Sequence, residues 1–230
     1  MIDYNFYGIS MPLALVIYFW LPSTGGNSNV SLLSFAVNYK KIIKNKSFLV
    51  IAGLNYTMAF LMYSIVTFIP LHLSINMGTS EGMAGILLGL QGLAGLIVAT
   101  RIKNIALRFN TTRLMAGGLF LMVMALAVIP FHSTIIGVAI SIFVFGFGLG
   151  VVITLINTMI TDAVQPEYSG AAISLFNTMN FAGQATSPVV LGFVSALLGM
   201  NMVFPAAAAV ALLAIVAISF LGKLLPVTFK

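Results

Sequence analysis

The sequence predicts an all-α fold, a polytopic transmembrane helix bundle of about seven spans. Three observations predict it. Hydrophobic residues make up 60% of the 230 residues and charged ones only 6%, against about a quarter charged in a soluble domain. Apolar runs follow one another along the chain, and about 20 such residues in a helix cross a hydrocarbon core roughly 30 Å thick. The basic residues gather between those runs, Lys40, Lys41, Lys44 and Lys46 in one connector and Arg101, Lys103, Arg108 and Arg113 in another, which is the distribution of cytoplasmic loops.

The first run, Phe6 to Leu21, is short for a crossing and carries Tyr18 and Trp20 as interfacial anchors near its end. Asp3 stands where a signal peptide would be basic, so this run reads as a retained helix. A polar stretch from Pro22 to Val30 opens the longest connector, residues 22–47, which has room for a short helix on the membrane surface. Six further spans are predicted: Phe48 to Leu73, Met83 to Thr100, Leu114 to Ile129, Ile135 to Ile160, Ala171 to Leu198 and Val203 to Leu221. The domain plan is therefore a single helix (1–21), a cytoplasmic connector (22–47), a six-helix unit (48–222) and a cytoplasmic tail (223–230).

Alternation of sides puts both basic connectors and Lys223 on one face and the turns at Glu81 and His132 on the other. This predicts a multi-pass protein of the plasma membrane with its amino terminus outside and its carboxyl terminus in the cytoplasm. An outside start without a leader suggests a chain that begins partway through a larger design. The net charge of +6 is topological in this arrangement and implies no nucleic-acid partner. The partners expected are the lipid bilayer and a small-molecule substrate.

Catalytic chemistry has little to work with. There is no cysteine, and two histidines and four acids form no His-Glu-x-x-His pair. A phosphate-cradling loop and a Gly-x-Ser-x-Gly elbow are also missing. No enzyme activity, cofactor or metal is expected. The spans carry no ionisable residue at their centres, although such residues usually serve as proton relays and ion ligands. His72 and His132 lie near helix ends and suit an interfacial role.

Small residues let helices approach in lipid. Gly85, Gly89, Gly92 and Gly95 share one face of the third span, and Gly146, Gly148 and Gly150 crowd the fifth. The sixth span is the most informative. Ser174, Asn177, Asn180, Gln184 and Ser187 recur at steps of three or four and form a polar stripe. Buried amides need partners, at a cost of a few kcal/mol each when left without them. The stripe therefore faces either a neighbouring helix, as glue, or a water-filled cavity. Its length favours the cavity wall. Asn55, Tyr56 and Tyr63 on the second span, Gln91 on the third and Asn157 on the fifth are candidates for the same wall.

These segments resemble the carboxyl-terminal half of a major facilitator superfamily transporter, preceded by the last helix of its amino-terminal half. Tyr63 to Leu73, with Pro70, resembles the end of the family's seventh helix. Arg101 to Arg113 resembles the basic loop between helices eight and nine, usually Gly-x-Leu-Ala-Asp-Arg-x-Gly-Arg-Arg. Arg108 matches the arginine and Arg113 keeps a nearby charge, while Leu107 replaces the aspartate and Lys103 the first glycine. Asn110 stands for the second glycine and is able to take a left-handed turn. Asp162 to Asn177 resembles the entry to the eleventh helix, and Gly183 to Gly192 its later Gly-Pro-Gly segment.

The resemblance covers about Phe6 to Leu221 and implies half of a twelve-helix fold. It also implies alternating access, with the second, third, fifth and sixth spans lining a central cavity and Arg101, Arg108 and Arg113 serving a cytoplasmic gating loop. The pattern is most similar to drug and sugar efflux members. Helices one to five would come from an amino-terminal half, as part of the same gene, a separate chain or a second copy. The alternative is a non-transporting membrane sensor or assembly protein that retains the fold.

Overall fold

The computed structural model of the chain describes residues 39–106 and 109–225, which lie in the second of its two compact units, Ala36–Lys230. The first predicted span, most of the connector and Arg108 lie outside the described residues. The described residues are helical apart from short turns between helices, with no strand among them. A helical stretch at 39–44 leads into six long helices. These are α1 (Lys46–Met77), α2 (Glu81–Ala106), α3 (Thr111–Val128), α4 (Ile135–Ala163), α5 (Ser169–Leu198) and α6 (Val203–Leu221). All six are long and apolar enough to cross a membrane.

Most helices overrun the apolar runs that announced them. α2 continues past Arg101 to Ala106, and α1 begins at Lys46 and ends at Met77. Hydropathy marks the hydrocarbon slab, whereas backbone hydrogen bonding persists into the interface. Helix ends are closed by local chemistry. Asn45 caps α1 by accepting from the Ser47 and Phe48 amides at 3.0 and 3.2 Å. Gly78, at φ +61°, ends it by reversing the chain in the left-handed region. Asn110 is not left-handed as its place in the loop motif suggested. It is extended (φ −64°, ψ 136°) and accepts from the Thr112 amide at 2.8 Å as the N-cap of α3. An asparagine before a helix gains more from capping than from the turn that a glycine would make.

The two most extensive helix interfaces are α1 with α5 and α2 with α4. Matching α1 to α4 and α2 to α5 converts one pairing into the other, so the two halves of the bundle repeat a single packing scheme. α3 joins α4 and α6, and α1 also reaches α4 and α6.

The glycines of α4 explain its place in the middle. Positions two apart point to nearly opposite sides of a helix. Gly146 and Gly150 accordingly meet α2, where an added Cβ would come within 2.9 Å of Gln91 Cα and of Gly95 Cα respectively. Gly148 meets α3, where a Cβ would strike the Gly118 carbonyl. On α2 the glycine face behaves differently. Gly95 approaches α4, but Gly85, Gly89 and Gly92 have nothing within 4 Å among the described residues. Of that stripe, one glycine makes a helix contact and three lie on an open face.

Candidate functional site

The α1–α5 crossing gathers much of the polar chemistry. Asn55, 1% exposed, donates from Nδ2 to the Phe176 carbonyl oxygen at 2.8 Å. Its Oδ1 accepts from Asn180 Nδ2 at 3.1 Å, and Asn180 Oδ1 accepts from Gln184 Nε2 at 2.6 Å. Three amides thus form a ladder running outward from a backbone carbonyl. Ser187 Oγ donates to the Phe60 carbonyl at 2.8 Å, and Tyr56 meets Thr186 Oγ1 at 2.7 Å. Gly183 makes this approach possible: a Cβ there would run into the Tyr56 carbonyl and come within 3.1 Å of the Phe60 nitrogen.

The stripe on α5 turns outward from this contact. Ser187 is buried, Asn180 and Gln184 are half-buried, and Asn177 and Ser174 are exposed. Its inner residues bond α1, and its outer ones lie open. Ser174 Oγ accepts from Tyr39 at 3.1 Å. Tyr56, Asn55, Asn180 and Gln184 are brought together, with Asn177 beside them. Asn157 is exposed on α4 and Tyr63 is half-buried two turns beyond Tyr56, and neither bonds a described residue. Gln91, 5% exposed, is buried on the α2 stretch that meets Gly146.

Among the described residues nothing donates to Gln91 Oε1. A buried acceptor without a partner destabilises by about 1–3 kcal/mol. Gln91→Leu is therefore expected to keep or raise the melting temperature of the purified protein. A fall of several degrees in a thermal scan would reveal a partner for that oxygen.

Sequence reasoning missed Thr186 and the weight of Gly183. Thr186 lies off the stripe, on the far side of the Gly183 contact, so no periodicity marks it. His72, near the end of α1 as expected, is buried against its neighbours, with Asn76 Nδ2 2.9 Å from its Nδ1 and its ring edge-on to Phe204 at 5.2 Å.

The basic residues occupy the end from which α1 starts. Lys41 Nζ donates to the Tyr168 hydroxyl at 2.9 Å, and that hydrogen bond, ahead of the charge on Glu167, holds the ammonium above its ordinary pKa. A cleft of about 330 Å³ lies there, lined by residues including Lys41, Asn45, Gln165 and Tyr168. Arg101 and Arg113 are exposed, but on helices rather than in a loop: Arg101 on α2 and Arg113 in the first turn of α3. Among the described residues no group of His, Asp or Glu gathers as a metal set.

No curated protein matches the sequence. Among solved structures the chain is similar to one described as a bacterial homolog to the human lysosomal transporter Spinster, in an inward-facing and unoccupied conformation. The TM-score is 0.65 at 16% identity, over 80% of this chain and 44% of that one. The likeness is one of fold, and the chain spans less than half the length of that protein. The sequence profile of the Major Facilitator Superfamily matches twice, over residues 4–188 and 48–228. On that match, joined to six apolar helices of membrane-crossing length, the chain is a multi-pass membrane protein and belongs to the Major Facilitator Superfamily.

Proposed function

We propose that this chain forms the carboxyl-terminal part of a secondary transporter that moves a small solute across the plasma membrane by alternating access, in the efflux direction. The observation that carries the proposal is the amide ladder opening onto an uncovered face of α5. Asn177, exposed beside it, would contact lipid or solute, and an amide facing lipid loses hydrogen bonds at a cost of a few kcal/mol.

α5 and α2 are the least buried of the six helices. In this proposal an amino-terminal half covers them and supplies the opposite wall, with the cavity between. Arg101, Arg108 and Arg113 then sit at the cytoplasmic end, the amino terminus lies outside and the carboxyl terminus inside.

The absence of native cysteine makes a direct test available. In native membranes, Asn177→Cys is expected to react with a membrane-impermeant maleimide, whereas Phe193→Cys, on an apolar exposed face, stays unlabelled. An unreactive Asn177→Cys would return the stripe to helix glue. In the complete transporter, Asn177→Ala and Gln184→Ala should each reduce solute binding about tenfold while expression falls by less than half, the loss of one or two hydrogen bonds. Binding without flux would favour a sensor instead.

A further inference from the structure

We propose that the α1–α5 wall selects solutes that present hydrogen-bond donors, primary ammonium or hydroxyl groups, and disfavours carboxylates. The inference rests on the transport proposal above and deepens it. Its basis is the polarity of the ladder, which one backbone atom sets.

A main-chain carbonyl is only an acceptor. At 2.8 Å from the Phe176 oxygen, the Asn55 atom must therefore be its nitrogen. That turns Asn55 Oδ1 toward Asn180, so the Asn180 atom 3.1 Å away must also be a nitrogen. Asn180 then presents Oδ1 to Gln184, and the Gln184 atom 2.6 Å away must again be the nitrogen. Flipping any one amide sets two oxygens, or two NH2 groups, face to face. The outermost group is left with its nitrogen turned into the ladder and its oxygen, Gln184 Oε1, as the free arm. No described residue donates to it.

Tyr56 is able to take the same polarity by a separate route. The Thr186 hydroxyl spends its single proton on the Ala182 carbonyl at 2.8 Å. With that proton placed there, the phenol donates across the 2.7 Å contact and the Tyr56 oxygen keeps lone pairs only; the reverse assignment, which the contact also permits, frees the phenol proton instead. Threonines nearby follow suit: Thr178 donates to the Ser174 carbonyl and Thr57 to the Gly53 carbonyl. Asn177 and Tyr63 remain free to turn either way. Each ladder nitrogen keeps a second N–H, but the amide atom that the ladder leaves with no described partner is the acceptor Gln184 Oε1, and residues 55–63 and 177–187 hold no Asp, Glu, Lys, Arg or His to offset it.

Asn55 is the positioning residue and Gln184 the one that touches solute. The test uses the complete transporter, this chain together with its amino-terminal half, in nanodiscs and four probes of similar size: phenethylammonium, its N,N,N-trimethyl counterpart, 3-phenyl-1,2-propanediol and 3-phenylpropionate. Phenethylammonium is expected to bind about tenfold more tightly than the trimethyl form, which keeps the charge but has no N–H. Tighter binding of the diol than of the propionate would extend the rule to hydroxyl donors.

Gln184→Leu should bring the ammonium-to-trimethyl ratio to about one. Asn55→Leu should do the same by freeing the amides to turn, whereas a merely structural role would weaken both probes equally. Equal affinities in the native complete transporter, preference for the propionate, or no binding of either donor would each overturn the inference. The labelling of Asn177→Cys judges the cavity independently, so failure here leaves that reading standing or falling on its own result.

Discussion

Gly183→Leu is expected to destabilise the chain by about 3 kcal/mol or more, at the upper end of overpacking effects. The reason is what the new side chain would meet. A Cβ at this position runs into the Tyr56 carbonyl and lies 3.1 Å from the Phe60 nitrogen, and both are backbone atoms of α1. A flexible neighbour could rotate away, but a helix backbone has to move as a body. The α1–α5 interface would open, and Asn55, Asn180 and Ser187 would lose their partners together. Thermal scanning of the detergent-purified variant should show a large fall in melting temperature or a collapse in folded yield. A native melting temperature would mean that the helices do not cross at this distance.

Gly89→Leu should have the opposite signature. Nothing lies within 4 Å of a Cβ at Gly85, Gly89 or Gly92 among the described residues, so the chain's own melting temperature should change by little. If an amino-terminal half packs on this face, as we propose, four extra carbons at the centre of a small-residue contact would keep the two helices apart. Co-expression with the matching amino-terminal half, followed by affinity purification through one of them, should recover both with native Gly89 and only one with Gly89→Leu. Equal recovery would place the covering helices elsewhere.

The contrast between Gly183 and Gly89 also shows where sequence reasoning ends. Both are glycines in apolar spans, and the regular stripe belongs to Gly89. The stripe on α2 promised a helix contact, yet only Gly95 makes one within the described chain. The tightest approaches to the backbone of another helix are at Gly146, Gly148 and Gly183, whose partners leave no local periodicity. The same holds for Thr186, placed opposite Tyr56 by the way two helices cross. The polar stripe was visible in spacing, but its division into a bonded inner edge and an open outer one was not. Spacing locates a face on a helix and is silent on which neighbour covers it.

Composition and the order of apolar and basic segments were enough to establish a helical membrane bundle and to place six of its spans within a few residues, because lipid leaves a backbone no alternative to internal hydrogen bonding. Which helices touch was decided by tertiary packing, and with it the direction of every amide in the ladder. Asn55, Asn180 and Gln184 have the same chemistry in any helix. Their polarity comes from the Phe176 carbonyl, a backbone atom 121 positions from Asn55 that folding brings to 2.8 Å.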